Sequence, residues 1–156
     1  MQGDPRIIDL LNQVLRKELT GVNQYFIHSR MCDNWGYFVL KKVHYDESID
    51  EMKHADGIIQ RILFLEGVPN VSDYDRIQVG PNVRQQIDND LAVEMAALEI
   101  MRRGVQLCLE AGDHGTRELL EHMITDEERH VNWLEAQQHQ IQELGYENYL
   151  TQQIHA

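Results

Sequence analysis

Disulfides cannot hold this chain together: its 156 residues include only Cys32 and Cys108, too few for a disulfide framework, and the expected compartment is the reducing cytoplasm. Proline is equally scarce, with Pro5, Pro69 and Pro81 alone, so no proline interrupts a helix between the first and the second of them. No run approaches the roughly 18 apolar residues that a membrane span needs. The start, MQGDPRIIDLL, lacks the basic-then-apolar pattern of a secretion signal. Basic charge is short as well. Fourteen Lys and Arg against 26 Asp and Glu give a formal charge of −12, which disfavours nucleic acid and anionic membranes as partners and favours cations.

What is present is ordinary globular material, 42% hydrophobic and 26% charged, in a length that suits one domain over residues 1–156. Asp4-Pro5 reads as an N-cap and a first-turn proline. Two long helices can then follow, separated at Asn34-Trp35-Gly36, the second stopping at Gly67 before Val68-Pro69-Asn70. Residues 67 to about 82 lack helical periodicity and end at Gly80-Pro81-Asn82. A third helix is expected over Val83–Ala111, a break at Gly112-Asp113-His114-Gly115, a fourth helix over Thr116–Leu144, and after Gly145 a short fifth over Glu147–Gln152. Helices of about 30 residues are roughly 45 Å long. A connection of about 15 residues can span roughly 50 Å, enough to start the third helix at the far end. The expected fold is all-α, a four-helix bundle of two antiparallel hairpins joined by one long crossover.

Each helix carries an apolar stripe at steps of three and four, and each stripe is interrupted by an acid or a histidine. Glu18 falls among Ile7, Leu11, Leu15, Val22 and Tyr25; Glu51 and His54 fall among Leu40, Ile58, Ile62 and Leu65. Glu94 falls within Ile87, Leu91, Leu98, Met101, Val105 and Cys108; Glu127 and His130 lie among Leu120, Met123, Leu134 and Ile141. All six sit near mid-helix, so they should converge at one depth whichever way each helix runs. Four carboxylates in a low-dielectric core are costly without partners. No basic residue lies on the stripes, and two divalent cations would supply the compensation.

One Glu-x-x-His places a carboxylate and an imidazole one turn apart on one face, and by itself it is a weak signal. The repeat makes it specific. Glu18 precedes Glu51 by 33 residues and Glu94 precedes Glu127 by 33, so each hairpin sets one Glu against one Glu-x-x-His, as in two related halves. This matches the arrangement already described for ferritin-like di-iron and di-manganese proteins.

The segments ESIDEMKHAD (Glu47 to Asp56), RILFLEG (Arg61 to Gly67), NQYF (Asn23 to Phe26), MCDNWGY (Met31 to Tyr37) and EERH (Glu127 to His130) resemble bacterioferritins over nearly the whole chain. The resemblance implies a 24-subunit hollow shell with a ferroxidase centre in each subunit and haem b shared at each two-fold pair. Glu51 and Glu127 would bridge two irons, Glu18 with His54 completing one and Glu94 with His130 the other. Met52 matches the methionine that ligates haem iron with its symmetry mate; on the residues alone a plain interface or surface methionine is the favoured reading. It lies off the di-iron face of its helix, on a strip extended by Tyr45, Ile49 and Ile59 that suits a subunit interface.

Tyr25, one heptad past Glu18, could donate a hydrogen bond to a metal ligand, supply an electron, or simply fill the core. Asp46 and Asp50 could face the shell interior and pass iron inward, or be solvated helix charges; many members of the family have His where this chain has Asp46. His28, His44, His114, His122, His139 and His155 match no ligand pattern and read as surface or incidental, and both cysteines read as structural.

The function the resemblance implies is oxidation of Fe(II) by O2 or H2O2 and storage of the ferric product, with a small iron–sulfur ferredoxin as the electron donor for release. Carboxylates with histidines suit iron better than Mg or Ca. A rubrerythrin-like di-iron peroxidase is opposed by the lack of any Cys-x-x-Cys pair. A DNA-protecting mini-ferritin is opposed by the intact ligand set within one bundle and the absence of a basic tail.

Overall fold

The computed structural model describes residues 1–155, and among these the regular structure is helical throughout: α1 (Pro5–Trp35), α2 (Phe38–Phe64), α3 (Val83–Ala111), α4 (His114–Leu144) and α5 (Tyr146–Thr151). Asp4 caps α1 through Arg6 N–H with Pro5 in the first turn, and Gly36 ends it in the left-handed region at φ 82°. Asn82 caps α3 through Gln85 N–H, and Asp113 caps α4 through Thr116 N–H. That cap starts α4 two residues ahead of the Thr116 expected from sequence.

The exit from α2 differs from expectation. Glu66, not Gly67, takes the left-handed conformation, at φ 63°, while Gly67 N–H closes on Ile62 C=O at 2.9 Å. Gly67 is needed for space instead: a Cβ there would lie 2.6 Å from Ile8 Cγ2 and 3.0 Å from Ile62 Cγ2.

The α1/α2 and α3/α4 hairpins pack together chiefly through α1 against α3, with α2 touching α4. The crossover from 65 to 82 runs beside α1, held by a ladder of α1 side chains at steps of four. Asn12 accepts from Asn70 N–H and donates to Val68 C=O; Arg16 pairs with Asp75; Thr20 accepts from Asp75 N–H. Gln24 accepts from Gln78 N–H, and His28 from Gly80 N–H. Five polar residues in i, i+4 register lie on one helix edge, so an irregular segment of this length finds partners for its backbone.

The interior is layered. One apolar cluster, including Ile7, Leu11, Leu15, Ile58, Ile62, Met101 and Leu120, fills the end where α1 begins. A second, including Cys32, Leu40, Val83, Ile87, Leu134, Ile141 and Tyr149, fills the other. The fifth helix closes that end, with Tyr149 OH donating to Gln137 Oε1 at 2.7 Å and Val39 N–H to Gln153 C=O at 3.0 Å. Between the two plugs lies a buried polar layer that contains Glu18, Gln24, His28, His44, Glu51, Asp90, Glu94, Glu127 and His130.

Candidate metal centre

Mid-helix placement brings the six stripe-interrupting residues together. Glu18, Glu51, His54 and Glu127 each offer a donor atom within 4.8 Å of one another, and Glu94, Glu127 and His130 form an adjoining set sharing Glu127. His54 Nδ1 lies 3.1 Å from Glu127 Oε1 and 3.6 Å from Glu18 Oε2; His130 Nδ1 lies 3.1 Å from Glu94 Oε1. Gly21 makes room at this level, since a Cβ there would come within 3.3 Å of Glu51 Oε2.

The chemistry of the donors fits divalent cations. Both oxygens of Glu18, one each of Glu94 and Glu127, and both ring nitrogens of His130 are buried without a hydrogen-bond partner among the described residues, a concentration of unsatisfied donors and acceptors that metal ligation would resolve. Burial and the neighbouring charge of Glu127 push the Glu18 carboxyl up to about 8. Burial alone would lower His54, but the hydrogen bond to Glu127, the Glu18 carboxylate 3.6 Å away and the bond to Asp126 outweigh it and hold the imidazole up to about 11. Without metal, therefore, His54 itself is the cation among the acids, a partner that counting Lys and Arg on the stripes overlooks.

Tyr25 is fully buried, and its hydroxyl donates to Glu94 Oε1 in a short bond. The ring packs edge-on to His130 at 5.2 Å. Beside His54 opens a cavity of about 400 Å³ whose walls include Glu47, Asp50, Glu51, His122, Asp126 and Glu127, connecting the centre with the surface. Asp50 stands at its mouth. Asp46 does not line it, being exposed and paired with Lys42 at 2.7 Å. Met52 points away from the centre and is 49% exposed, with Phe26, Tyr45 and Ile49 exposed as well; Ile59 packs inward on the core and leaves that strip.

Two histidines read as incidental are not on the surface. His28 and His44 are fully buried with Asp90. His28 Nδ1 lies 2.9 Å and His44 Nδ1 3.6 Å from that carboxylate, to which Gln24 also donates at 2.8 Å. His44 meets the Trp133 ring edge-on at 6.0 Å. Their register was a usable signal: His44 precedes Glu51 by one heptad and Asp90 precedes Glu94 by four, which puts both on the inward faces. Asp126, 3.0 Å from His54 Nε2, lies off the stripe and had no signal beyond adjacency to Glu127.

The ferritin-like domain profile matches residues 8–144. A bacterioferritin of Mycolicibacterium paratuberculosis is 43% identical over 97% of this chain and 96% of its own length. Bacterioferritin BfrA of Mycobacterium tuberculosis is 43% identical over the same shares, and a bacterioferritin of Rhodobacter capsulatus 45% identical over 88% of this chain and 85% of its own. With its helical bundle, this chain is a ferritin-like protein, and within that class it belongs to the bacterioferritin family. No helix among the described residues is long and apolar enough to cross a membrane.

Proposed function

We propose that this chain is an iron-storage subunit with ferroxidase activity, oxidising Fe(II) at the six-residue centre and passing ferric product into a shell of 24 copies. The observation that carries the reading is the buried mid-bundle set of donor atoms in which Glu18 and His130 have no hydrogen-bond partner among the described residues and Glu94 and Glu127 each leave one oxygen unpaired. Glu127 is shared by the two donor sets and Glu51 belongs to the His54 set; by the family resemblance Glu51 and Glu127 would bridge two irons, with Glu18 and His54 completing one and Glu94 and His130 the other. Bound there, an iron pair can give up two electrons to O2 or H2O2. The chain's own part is to bind Fe(II) with hard oxygens plus nitrogen, to release protons from Glu18 and His54 as metal displaces them, and to hold Glu94 through the Tyr25 hydroxyl. Asp50 and Glu47, at the cavity, would attract Fe(II), with the net charge of −12 raising its local concentration; Asp46 would add an exposed acid to the inner surface.

Haem b fits the exposed side of α2. A half-exposed thioether in an apolar strip with Phe26, Tyr45 and Ile49 suits a site completed by a second copy, in which paired Met52 sulfurs would hold the haem iron and the haem would supply an electron route to the stored iron, the donor being a small iron–sulfur ferredoxin. The proposed compartment is the cytoplasm.

The test is to purify the protein without metal, measure its mass by sedimentation, and follow aerobic oxidation of added Fe(II). A particle many times 18.3 kDa that rapidly oxidises about two Fe(II) per subunit supports the reading. A stable monomer removes the shell, and oxidation no faster than in buffer removes the ferroxidase.

A further inference from the structure

The two halves of the centre are built differently. On the His54 side four residues, Glu18, Glu51, His54 and Glu127, bring donor atoms within 4.8 Å of one another; on the His130 side three do, Glu94, Glu127 and His130, with the half-buried Glu47 carboxylate 3.5 Å from His130 Nδ1 outside that mutual set. Of those three, Glu94 already accepts the Tyr25 hydroxyl on the oxygen nearest His130.

The imidazoles are supported unequally too. Both turn Nδ1 inward. His54 Nε2 lies 3.0 Å from Asp126 Oδ2, and Asp126 is itself held by Arg129 Nη1 at 3.4 Å, with His122 at 3.9 Å. His130 Nε2 has no hydrogen-bond partner among the described residues; its ring is located by packing, stacked near Trp133 at 6.2 Å and edge-on to Tyr25 at 5.2 Å. A carboxylate that accepts the outer N–H of a ligating histidine fixes the tautomer, leaves the inner nitrogen free to ligate and makes it a stronger base; losing such a partner typically weakens metal binding by about 10–100-fold.

We propose that Asp126 is a positioning residue for His54, and that with the fuller donor set it makes the centre sequential: the first divalent cation occupies the Glu18/His54 half, and the second enters the Glu94/His130 half with lower affinity. This rests on the six residues being a two-metal site. The consequence is directional. The tightly held position borders the cavity that opens beside His54, and the weakly held position is the one from which an ion can leave.

The experiment titrates the metal-free assembled protein with Co(II), read by its visible absorption and by calorimetry. Native protein should bind one ion per subunit in a first step and a second at about tenfold or more lower affinity. Asp126→Asn, which keeps an acceptor oxygen and loses the charge, should weaken the first step by about 10–100-fold and the second little, while Asp126→Glu should restore part of the first. In His130→Ala the first step should persist and the second vanish; His54→Ala should lose the tight step. Two ions entering native protein in one indivisible step would overturn the sequential centre while leaving a two-metal site in place. An unaltered first step in Asp126→Asn would overturn the positioning role. No Co(II) binding at all would instead defeat the reading on which this inference rests.

Discussion

His28 accepts the backbone N–H of Gly80 at 3.0 Å through Nε2, which turns its Nδ1 toward the buried Asp90 at 2.9 Å. A side chain of α1 thus joins the crossover to α3 in the interior. With Nε2 engaged by the backbone N–H and Nδ1 facing the buried carboxylate, this histidine is a strut between the crossover and α3 rather than a metal ligand.

Gly80 has no room for a side chain: an added Cβ would lie 2.4 Å from the backbone nitrogen of Gln86. Gly80→Ala should lower unfolding free energy by about 1–3 kcal/mol, and His28→Leu by a comparable amount, because it leaves the buried Gly80 N–H without its acceptor. Amide exchange at residues 78–80 should accelerate in both variants, the remaining amides changing less. Unchanged protection there would show that the crossover is held from elsewhere.

His44 gives the fold a specific acid sensitivity. Burial, opposed by Asp90 and reinforced by His28 and His130, pushes its imidazole down from 6.5 to about 4. An unfolded chain takes up this proton as pH falls through 6.5, whereas the folded chain resists until about 4. The associated stability is intact above pH 6.5 and is lost on acidification through that interval, by on the order of 3 kcal/mol at most. His44→Gln should therefore show a shallower fall in urea midpoint between pH 7 and 5 than native protein, both being metal-free. Parallel curves would exclude the contribution.

Glu94→Ala and Glu127→Ala should each lower rapid Fe(II) oxidation by at least about tenfold, taking the ligand-loss scale as a guide. Removing a buried acid from the metal-free centre relieves repulsion while leaving the Tyr25 hydroxyl or His54 without one acceptor, so the two effects oppose and both variants should still fold. Stopped-flow oxidation paired with thermal unfolding separates the effects. Native oxidation rates in both variants would mean that the chemistry lies elsewhere.

Met52→Leu roughly conserves volume, and the position lies off the face of α2 that carries Glu51 and His54. Assembly and Fe(II) oxidation should persist, haem per subunit should fall toward zero, and reductive release of stored iron should slow. Loading both proteins with equal iron and measuring haem content and release rate checks this. Full haem occupancy with an unaltered spectrum in the variant would leave Met52 an ordinary interface residue.

The local elements were legible because their signals are local. Asp4-Pro5, Gly36, Gly112 and Gly145 act on the backbone beside them, and the 3-4 stripes mark faces that must be buried wherever the partner helix lies. The twofold Glu and Glu-x-x-His spacing reported the centre for the same reason: equal heptad-like registers on four antiparallel helices bring mid-helix positions to one level. Gly67 was misread because its glycine is required by Ile8, a neighbour across the bundle.

Taken by itself, then, the sequence determined the helices, the long crossover and which six side chains face inward together. Only the tertiary structure decided what surrounds them: that Asp126 backs His54 while His130 Nε2 has no hydrogen-bond partner among the described residues, that Tyr25 reaches Glu94, and that His28 and His44 enclose Asp90 beneath the crossover. Periodicity along one helix specifies the direction of a side chain but not the partner it meets, and these partners lie 12 or more residues away on other elements. Their contacts depend on the rotation and axial offset of packed helices, quantities set by the whole core at once.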